Sequence, residues 1–369
     1  MPSKITTELA ESNLLLPGVI DLRAETEPDK LFCVLLNSKN VQDGLISVSY
    51  SDYANAINRS WWLEGKLGRG NDLNLKTIGY FEPPNIRQTI VALAVSKINH
   101  KCQDIVVAQD MLALTPTLNV LTSKRILQVL PFEDTTHWLD HTQVPRYIHD
   151  ASFEKDASRP FVILHTSGST GFPEPAVYTF RALASYRTFL EPQEVIVGAR
   201  RTMVDLWKNK VTYVAFPTSH IVGFLCGTAF NVYWEPLARV PKYLEGLRSL
   251  ELAIWCGAPF SSSSVPEKIR SLVPINAGYG ATETGPFITQ VENQLDFEYM
   301  SFSPLMGARF QPYAGHLYEM VIEKKPALHG AQHIFCAFPD LSEGTPKICS
   351  RSILQNQTCG GTKDALTIS

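Results

Sequence analysis

The segment His165-Thr-Ser-Gly-Ser-Thr-Gly-Phe-Pro-Glu-Pro-Ala176 decides the fold class, because it is a loop of small polar residues that follows an apolar run. That run, Pro160-Phe-Val-Ile-Leu164, is β-branched in part and predicts a buried strand. Glycines let a backbone approach an anion closely, and N–H groups and hydroxyls then donate hydrogen bonds. The loop therefore indicates phosphate binding, although no Gly-Lys-Ser/Thr closes it as in a P-loop. From composition alone, the alternative is a flexible surface linker.

Composition is typical of a globular protein with a sizeable core: 369 residues, 44% hydrophobic and 19% charged. The net charge of −3 gives no electrostatic reason to bind nucleic acid or an anionic membrane, so we expect neither partner. The N-terminus lacks the apolar core of a signal peptide, and no run approaches the length of a membrane span. The 7 cysteines are odd in number and contain no Cys-x-x-Cys, which indicates reduced thiols in a cytoplasmic protein.

Strand-like and helix-like segments alternate through most of the chain, which favours an α/β fold with a mostly parallel sheet. Ser51 is the expected N-cap of a helix in which Tyr53, Ile57 and Trp61 share one face, and Gly68 and Gly70 end that region. Strands are predicted at 45–50, 77–81, 105–108, 211–216 and 252–256, and helices at 85–95, 111–121 (broken at Pro116) and 266–273. Further along, 316–322 and 332–338 are predicted to be paired strands of a small β subdomain.

Three histidines, His137, His141 and His149, lie near acidic residues such as Asp134 and Asp140. A metal site is conceivable there, but the spacing matches no standard ligand set. Solvated loop histidines are the preferred interpretation.

The phosphate-loop candidate carries a family resemblance. Thr166-Ser-Gly-Ser-Thr-Gly-Phe-Pro173 resembles the phosphate loop of adenylate-forming enzymes, which include acyl-CoA synthetases, luciferases and the adenylation domains of nonribosomal peptide synthetases (NRPS). The family pattern has Lys after the Pro, whereas this chain has Glu174, and a carboxylate beside a triphosphate is electrostatically adverse. The resemblance implies that the phosphates of ATP are bound by Thr166, Ser167, Gly168, Ser169, Thr170 and Gly171.

A second segment, Asn276-Ala-Gly-Tyr-Gly-Ala-Thr-Glu-Thr-Gly285, resembles the family pattern Tyr-Gly-x-Thr-Glu. The resemblance implies that Tyr279 stacks on the adenine and that Thr282 donates to the α-phosphate. It also implies that Glu283 supplies a carboxylate oxygen for Mg²⁺, a hard cation that prefers oxygen ligands. Taken alone, the segment would be a Gly-rich loop with a solvated glutamate; two such loops in the family's order favour the nucleotide site.

Two weaker matches complete the expected site. Pro217-Thr-Ser-His-Ile-Val-Gly223 resembles a Pro-x-x-His-x-x-Gly segment, which implies that His220 lies between the ATP and acid sites; the alternative is a helix N-terminal turn after a Ser219 cap. Gly257-Ala-Pro259 resembles a turn that lies against the adenine, which implies that Gly257 and Ala258 bind the nucleotide. The alternative is an ordinary turn at the end of a strand, where Gly and Pro are common. The acid is expected near His220, Phe224 and Trp255. The expected catalytic residues are thus His220, Thr282 and Glu283.

Several stretches, among them Lys76-Thr-Ile-Gly-Tyr-Phe81 and Phe338-Pro-Asp-Leu-Ser-Glu343, are similar to fungal NRPS-like adenylate-forming reductases. The implied fold is the large N-terminal domain of an adenylate-forming enzyme, with mixed sheets packed against helices and a partial small β subdomain. We expect a loose leader at 1–16 and an AMP-binding core at 17–369. The core would comprise subdomains at about 17–160 and 161–300, with the β subdomain and a hinge remnant at 301–369.

Residues 344–369 depart from the family. Gly344-Thr-Pro-Lys-Ile-Cys-Ser-Arg-Ser352 has no carboxylate for the ribose hydroxyls, and Cys359-Gly-Gly-Thr-Lys-Asp364 has Gly-Gly where the hinge has Gly-Arg. We therefore expect no C-terminal lid, carrier or reductase domain in these residues, and an activity impaired by the missing lid lysine.

Three functional hypotheses follow from this resemblance. The first is an enzyme of secondary metabolism that uses ATP and Mg²⁺ to adenylate a small carboxylic acid, with a carrier or reductase protein supplied separately as a candidate partner. The second is a non-catalytic module that binds nucleotide or acid. The third is a remnant of a larger NRPS-like reductase.

Overall fold

The computed structural model describes most of the chain. The described residues are 13–37, 41–71, 77–81, 85–100, 106–108, 115–124, 129–132, 134–165, 174–190, 202–207, 212, 214, 216–218, 220–233, 250–256, 267, 269–290, 299–314, 317–328, 330–344, 353–355 and 366–368. They divide into two compact units. The first comprises residues 1–181 and 214–232, and the second comprises 182–213 and 233–369.

The elements follow the expected mixture of helices and short strands. The helices are α1 (Leu16–Thr26), α2 (Tyr50–Asn58), α3 (Ser60–Leu67), α4 (Ile86–Lys97), α5 (Thr115–Lys124), α6 (Thr135–Trp138), α7 (Phe153–Asp156), α8 (Phe180–Ala184), α9 (Met203–Trp207), α10 (Ile221–Gly227), α11 (Ala229–Tyr233) and α12 (His333–Ala337). The strands are β1 (Leu31–Leu36), β2 (Leu45–Ser49), β3 (Tyr80–Phe81), β4 (Val106–Ala108), β5 (Leu130–Phe132), β6 (Pro160–His165), β7 (Pro175–Thr179), β8 (Ala253–Trp255), β9 (Ile275–Ala277), β10 (Gly280–Ala281), β11 (Gly285–Pro286), β12 (Thr289–Gln290), β13 (Tyr299–Phe302), β14 (Ala308–Ala314), β15 (Leu317–Glu323), β16 (Glu343–Gly344), β17 (Ile353–Gln355) and β18 (Leu366–Ile368).

The first unit combines parallel and antiparallel pairing. Strands β3, β4 and β5 form a parallel sheet, while β1 pairs with β2 and β6 pairs with β7 in antiparallel fashion. Asn85 caps α4 by accepting a hydrogen bond from the Arg87 N–H over 2.8 Å, so this helix starts where the sequence predicts. Helix α5 starts at Thr115, which places Pro116 in its first turn, where proline is tolerated, and not at a break.

The predicted start of the second helix was wrong by two residues. Ser49, not Ser51, caps α2, and Asp52 completes a capping box by accepting from the Ser49 N–H over 3.0 Å. The predicted face of Tyr53, Ile57 and Trp61 is also broken. Tyr53 and Ile57 are fully buried, but α2 ends at Asn58, and Trp61 on α3 is 51% exposed.

A buried ion pair lies in the core of the first unit. Lys97 is fully buried at the end of α4, and its Nζ donates to both carboxylate oxygens of Asp21 over 2.7 and 2.8 Å. Asn58 accepts a third hydrogen bond from the same Nζ over 2.7 Å. Asp21 lies on α1, which begins at Leu16 with Leu15 buried beside it, so the last residues of the expected leader belong to the fold.

The second unit contains a larger antiparallel sheet. Its described strands follow the order β12-β13-β18-β17-β15-β14, and β16 also pairs with β15. The pairing predicted for 332–338 was wrong: β15 pairs with β14, and residues 333–337 form the short helix α12. Gln332, directly before this helix, donates to Glu323 O over 2.5 Å and accepts from the Lys325 N–H over 2.9 Å.

Mixed sheets with helices confirm the predicted fold class. The first unit contains β6 and β7, which the sequence analysis assigned to the second subdomain. In the part of the chain that the structure describes, no helix is both long and apolar enough to cross a membrane.

Candidate functional site

The segment that resembles Tyr-Gly-x-Thr-Glu forms a small β-hairpin in the second unit. Strands β10 and β11 pair antiparallel, with Gly280 opposite Pro286 and Ala281 opposite Gly285. A Cβ on Gly280 would lie 2.7 Å from Gly285 O and 2.8 Å from the Pro286 Cα, so the close pairing requires glycine there. The hairpin follows β9 directly, which is parallel to β8, and the Gly278 N–H donates to Trp255 O over 2.7 Å. This hydrogen bond joins the hairpin base to the parallel pair.

The tip of this hairpin, residues 282–284, carries the two side chains expected to bind phosphate and metal. Thr282 and Glu283 are half-buried, whereas Thr284 is buried. Thr284 Oγ1 accepts from the Ala281 N–H over 3.2 Å and donates to Gly285 O over 3.1 Å. The buried threonine therefore closes the loop, and the loop carries the Thr282 hydroxyl and the Glu283 carboxylate at its tip.

Tyr279 lies one residue before the hairpin, in a cluster of aromatic rings. Its centroid is 5.4 Å from that of Phe287 and 6.0 Å from that of Phe302, and the second contact is edge-on. The Phe287 N–H donates to Tyr279 O over 2.7 Å. Edge and tilted contacts of this kind are the favoured aromatic geometries, and here they fix the plane of the half-buried Tyr279 ring.

His220 belongs to the first unit and is itself the N-cap of α10. Its Nδ1 accepts from the Val222 N–H over 3.3 Å, and its ring stacks on Phe216 with centroids 5.5 Å apart. The sequence analysis predicted that His220 lies between the ATP and acid sites, and its alternative was a helix turn capped by Ser219. In the structure the N-cap is His220 itself. Desolvation of its ring by neighbouring groups lowers the pKa of His220, which favours the neutral ring whose Nδ1 accepts.

The glycine at the end of the Pro-x-x-His-x-x-Gly segment, Gly223, has a steric reason. A Cβ at this position would overlap the carbonyl oxygen of Pro217, so the first turn of α10 lies directly against the preceding segment. Phe224, expected near the acid, is fully buried and packs 6.0 Å from Phe161 between ring centroids. Phe224 is therefore a core residue of the first unit, and packing alone explains its burial. Trp255, on β8 of the second unit, is half-buried.

The phosphate-loop residues Thr166, Ser167, Gly168, Ser169, Thr170 and Gly171, and the turn residues Gly257 and Ala258, lie outside the described residues. The strands that flank the loop are described. Strand β6 ends at His165 and β7 begins at Pro175, and these two residues are opposite each other in the antiparallel register. Glu174, just before β7, is exposed.

The metal alternative for the three histidines gains no support. Within the described ranges, no group of three His, Cys, Asp or Glu side chains is arranged to hold a metal ion. Asp134 caps α6 through the His137 N–H at 3.0 Å, and His141 contacts Asp52 over 3.1 Å.

Three residues that support the hairpin were not assigned a role from the sequence. Thr284 lies inside the motif, so the sequence analysis could have considered it. From sequence alone, however, a threonine whose hydroxyl closes a loop looks the same as one whose hydroxyl binds a ligand. Tyr186 and His333 lie far from the motif in sequence, and they meet behind Gly285 only in the folded unit.

Comparison with known proteins gives sequence relatives over most of the chain. It is 23% identical over 387 residues to the isocyanide synthase-NRPS hybrid crmA of Aspergillus fumigatus, covering 88% of this chain and 25% of that protein. It is 25% identical over 400 residues to a carboxylic acid reductase of Neurospora crassa, covering 90% of this chain and 37% of that protein. The chain thus spans well under half the length of either relative. No protein-family model matches it.

Solved structures show the same fold at low sequence identity. An inhibitor-bound N-terminal domain of FACL13 from Mycobacterium tuberculosis superposes with a TM-score of 0.59 and 12% identity, covering 84% of this chain and 89% of that one. ATP-bound MatB from Rhodopseudomonas palustris gives a TM-score of 0.54 and 13% identity, covering 83% of this chain and 68% of MatB. At such identities the likeness concerns the fold alone.

Proposed function

We propose that this chain is an adenylate-forming enzyme that activates a carboxylic acid with ATP, because its fold and its similarity to two fungal proteins support that family. A carboxylate oxygen attacks the α-phosphorus, the bond to the bridging oxygen of pyrophosphate breaks, and an acyl-adenylate forms. The observation that carries this proposal is the hairpin whose tip holds Thr282 and Glu283 and which directly follows Tyr279, whose ring packs against Phe287 and Phe302.

The hairpin residues suit a nucleotide in their chemistry. Tyr279 offers a flat apolar ring for the adenine, and the Thr282 hydroxyl is a donor for an α-phosphate oxygen. Glu283 is the carboxylate that would bind Mg²⁺, which commonly takes one or two protein carboxylates together with substrate phosphates. Bound Mg²⁺ would offset negative charge on the phosphates.

Further phosphate, adenine and acid contacts are proposed from the motifs of the sequence. We propose that Thr166, Ser167, Gly168, Ser169, Thr170 and Gly171 donate to the phosphates and that Gly257 and Ala258 contact the adenine. His220 is a neutral ring on a capped helix, with its Nδ1 already used as the cap acceptor. Its Nε2–H is therefore the donor that it offers to the carboxylate substrate.

The biological setting belongs to the same proposal. The two relatives are an NRPS hybrid and a carboxylic acid reductase, which supports a role in fungal secondary metabolism. A carrier or reductase protein is the proposed recipient of the acyl group, and the cytoplasm is the proposed location.

A second candidate is a module that binds ATP or acid without turnover. Glu174 favours it, because an exposed carboxylate precedes β7 at the place where the resembling loops have Lys. Its charge would oppose the triphosphate and weaken phosphate binding.

An isotope-transfer experiment separates the two candidates. The chain is incubated with MgATP, hydroxylamine and pools of carboxylic acids labelled with ¹⁸O in the carboxylate. Adenylation leaves one ¹⁸O in AMP, because hydroxylamine attacks the carbonyl carbon and the bridging oxygen departs with the phosphate. Simple hydrolysis of ATP gives unlabelled AMP. Labelled AMP supports the enzyme; MgATP binding with no labelled AMP from any pool supports the binding module and contradicts the enzyme.

A further inference from the structure

The back of the candidate hairpin rests on two aromatic side chains. Gly285 has φ +66°, and a Cβ there would overlap the hydroxyl of Tyr186 and lie 3.2 Å from His333 Cδ2. Gly285 is also the partner of Ala281 in the two-strand pairing that holds the tip. Any shift of Tyr186 or His333 therefore changes the space on which the tip is seated.

Tyr186 and His333 form one stacked pair. Their ring centroids are 5.0 Å apart at an interplanar angle of 29°, and each side chain is only 1% exposed. Tyr186 lies in the 3₁₀ segment Ser185–Leu190, whereas His333 begins α12. The stack thus joins two segments that are far apart in sequence, and both contact the same glycine.

His333 is held in place by hydrogen bonds as well as by stacking. Its Nδ1 lies 2.7 Å from Ala182 O, and because a carbonyl only accepts, the ring carries its proton on Nδ1. Ser185 Oγ donates to the same carbonyl over 2.7 Å and lies 3.4 Å from Nδ1. Burial lowers the pKa of His333 to about 4, so the ring stays neutral at neutral pH.

The residue before His333 anchors the same helix from the other side. Gln332 is also 1% exposed, and its Nε2 donates to Glu323 O at the end of β15. Helix α12 therefore starts from a fixed point in the large sheet of the second unit. This leaves the His333 ring little freedom to move away from Gly285.

We propose that His333 is a positioning residue for the nucleotide site: it holds Tyr186 against Gly285 and so fixes Thr282 and Glu283 at the hairpin tip. This inference rests on the proposed function of the hairpin in binding MgATP. In this proposal His333 acts only through Tyr186 and Gly285.

The mechanical part of the inference is tested without nucleotide. Hydrogen–deuterium exchange is measured on peptides that cover 278–287 in the wild type, in His333→Ala and in His100→Ala. His100 is the matched control: it is 3% exposed, its Nε2 lies 3.1 Å from Gly68 O, and it belongs to the first unit. We expect hairpin amides to exchange at least about threefold faster in His333→Ala and unchanged in His100→Ala. Equal exchange in all three proteins would overturn the proposal.

The functional part is tested by titration with ATP, with and without Mg²⁺. We expect His333→Ala to bind MgATP about tenfold more weakly and to lose most of the gain in affinity that Mg²⁺ gives the wild type. The MgATP affinity of His333→Asn should lie between those of the wild type and His333→Ala, because the asparagine amide can still donate to Ala182 O. This variant should also remain folded. Unchanged Mg²⁺ dependence in a folded His333 variant, or an equal loss in His100→Ala, would overturn the proposal.

The two tests separate this inference from the proposed function. If the wild type binds no MgATP, the proposed function fails, and the exchange experiment still decides whether His333 positions the hairpin.

Discussion

Ala281 and Thr284 close the hairpin through reciprocal hydrogen bonds: the Ala281 N–H donates to Thr284 Oγ1, and the Thr284 N–H donates to Ala281 O, each over 3.2 Å. Between them lie Thr282 and Glu283, the two residues with the strongest expected contact to phosphate and metal. The side chain that shapes the tip is therefore different from the side chains that would meet the nucleotide, and the two roles can be separated by substitution.

Thr284→Ala should destabilise the second unit by about 1–2 kcal/mol, because the buried Ala281 N–H loses its acceptor. Denaturation in urea measures this loss, and MgATP affinity should fall with it. Thr284→Ser keeps the hydroxyl and should retain most of both. A Thr284→Ala protein as stable as the wild type would show that the hydrogen bond does not hold the loop.

Gly285→Ala should be destabilising by about 2 kcal/mol or more, since alanine is strained at φ +66° and its Cβ overlaps the Tyr186 hydroxyl. Gly65→Ala is the matched control, because Gly65 is an exposed helical position on α3 with open space around it. That substitution should stabilise by up to about 1 kcal/mol. Thermal denaturation of both variants checks the opposite signs, and two shifts of the same sign would contradict the assignment.

Stability should decrease as the pH falls from about 6.5 to about 4. Burial lowers the pKa of His333 and of His149 from 6.5 to about 4, and nearby Lys97 and Arg159 charges add to the effect at His149. In this window the unfolded chain binds protons that the folded chain does not, so the contribution is complete above pH 6.5 and is lost on acidification. Each histidine adds a slope of up to about 1.4 kcal/mol per pH unit.

The variants His333→Asn and His149→Asn should each flatten this pH dependence, measured as the free energy of unfolding across the window. The double variant should be the flattest of the three. Slopes that match the wild type in both single variants would contradict the assignment of neutral rings, one buried at His333 and one half-buried at His149.

His220 offers a test that separates helix capping from substrate contact. His220→Ala should cost about 1 kcal/mol of stability, because the Val222 N–H loses its acceptor. His220→Asn restores a good N-cap and should recover that stability. If His220 also contacts the acid, both variants should raise the KM for the carboxylic acid; an Asn variant with wild-type KM would reduce His220 to a cap.

Local signals in the sequence predicted many elements correctly. The polar residue before the apolar run 86–95 set the start of α4, and β2 and β6 appeared where β-branched residues alternate or cluster. Trp61 was wrongly assigned to the face of Tyr53 and Ile57, because the four-residue spacing continues to Trp61 although a new helix starts at Ser60. Residues 332–338 were misread because a short apolar run fits helix and strand equally, and the tertiary hydrogen bonds of Gln332 decide between them.

The positions of the proposed site residues could be predicted together only where those residues are close in sequence. Tyr279, Thr282 and Glu283 lie within one short segment, and the structure brings them onto one hairpin and its approach. The support from Tyr186 and His333 depends on contacts between residues 186, 285 and 333, which no short motif encodes. A helix start at His220 was only the alternative interpretation, with Ser219 as the cap; that His220 is itself the cap depends on the orientation of its side chain.

The most direct test of the central claim is ATP–pyrophosphate exchange over a panel of carboxylic acids, in the wild type, Glu283→Gln and Glu319→Gln. Glu319 is the matched control, a half-buried carboxylate on β15 that accepts from Gln311 over 3.0 Å, outside the motif. We predict acid-dependent exchange in the wild type and in Glu319→Gln, and a loss of about a hundredfold or more in Glu283→Gln. The account would be contradicted if a folded wild type catalysed no exchange with any acid in the panel. Equal exchange in all three proteins would also contradict it.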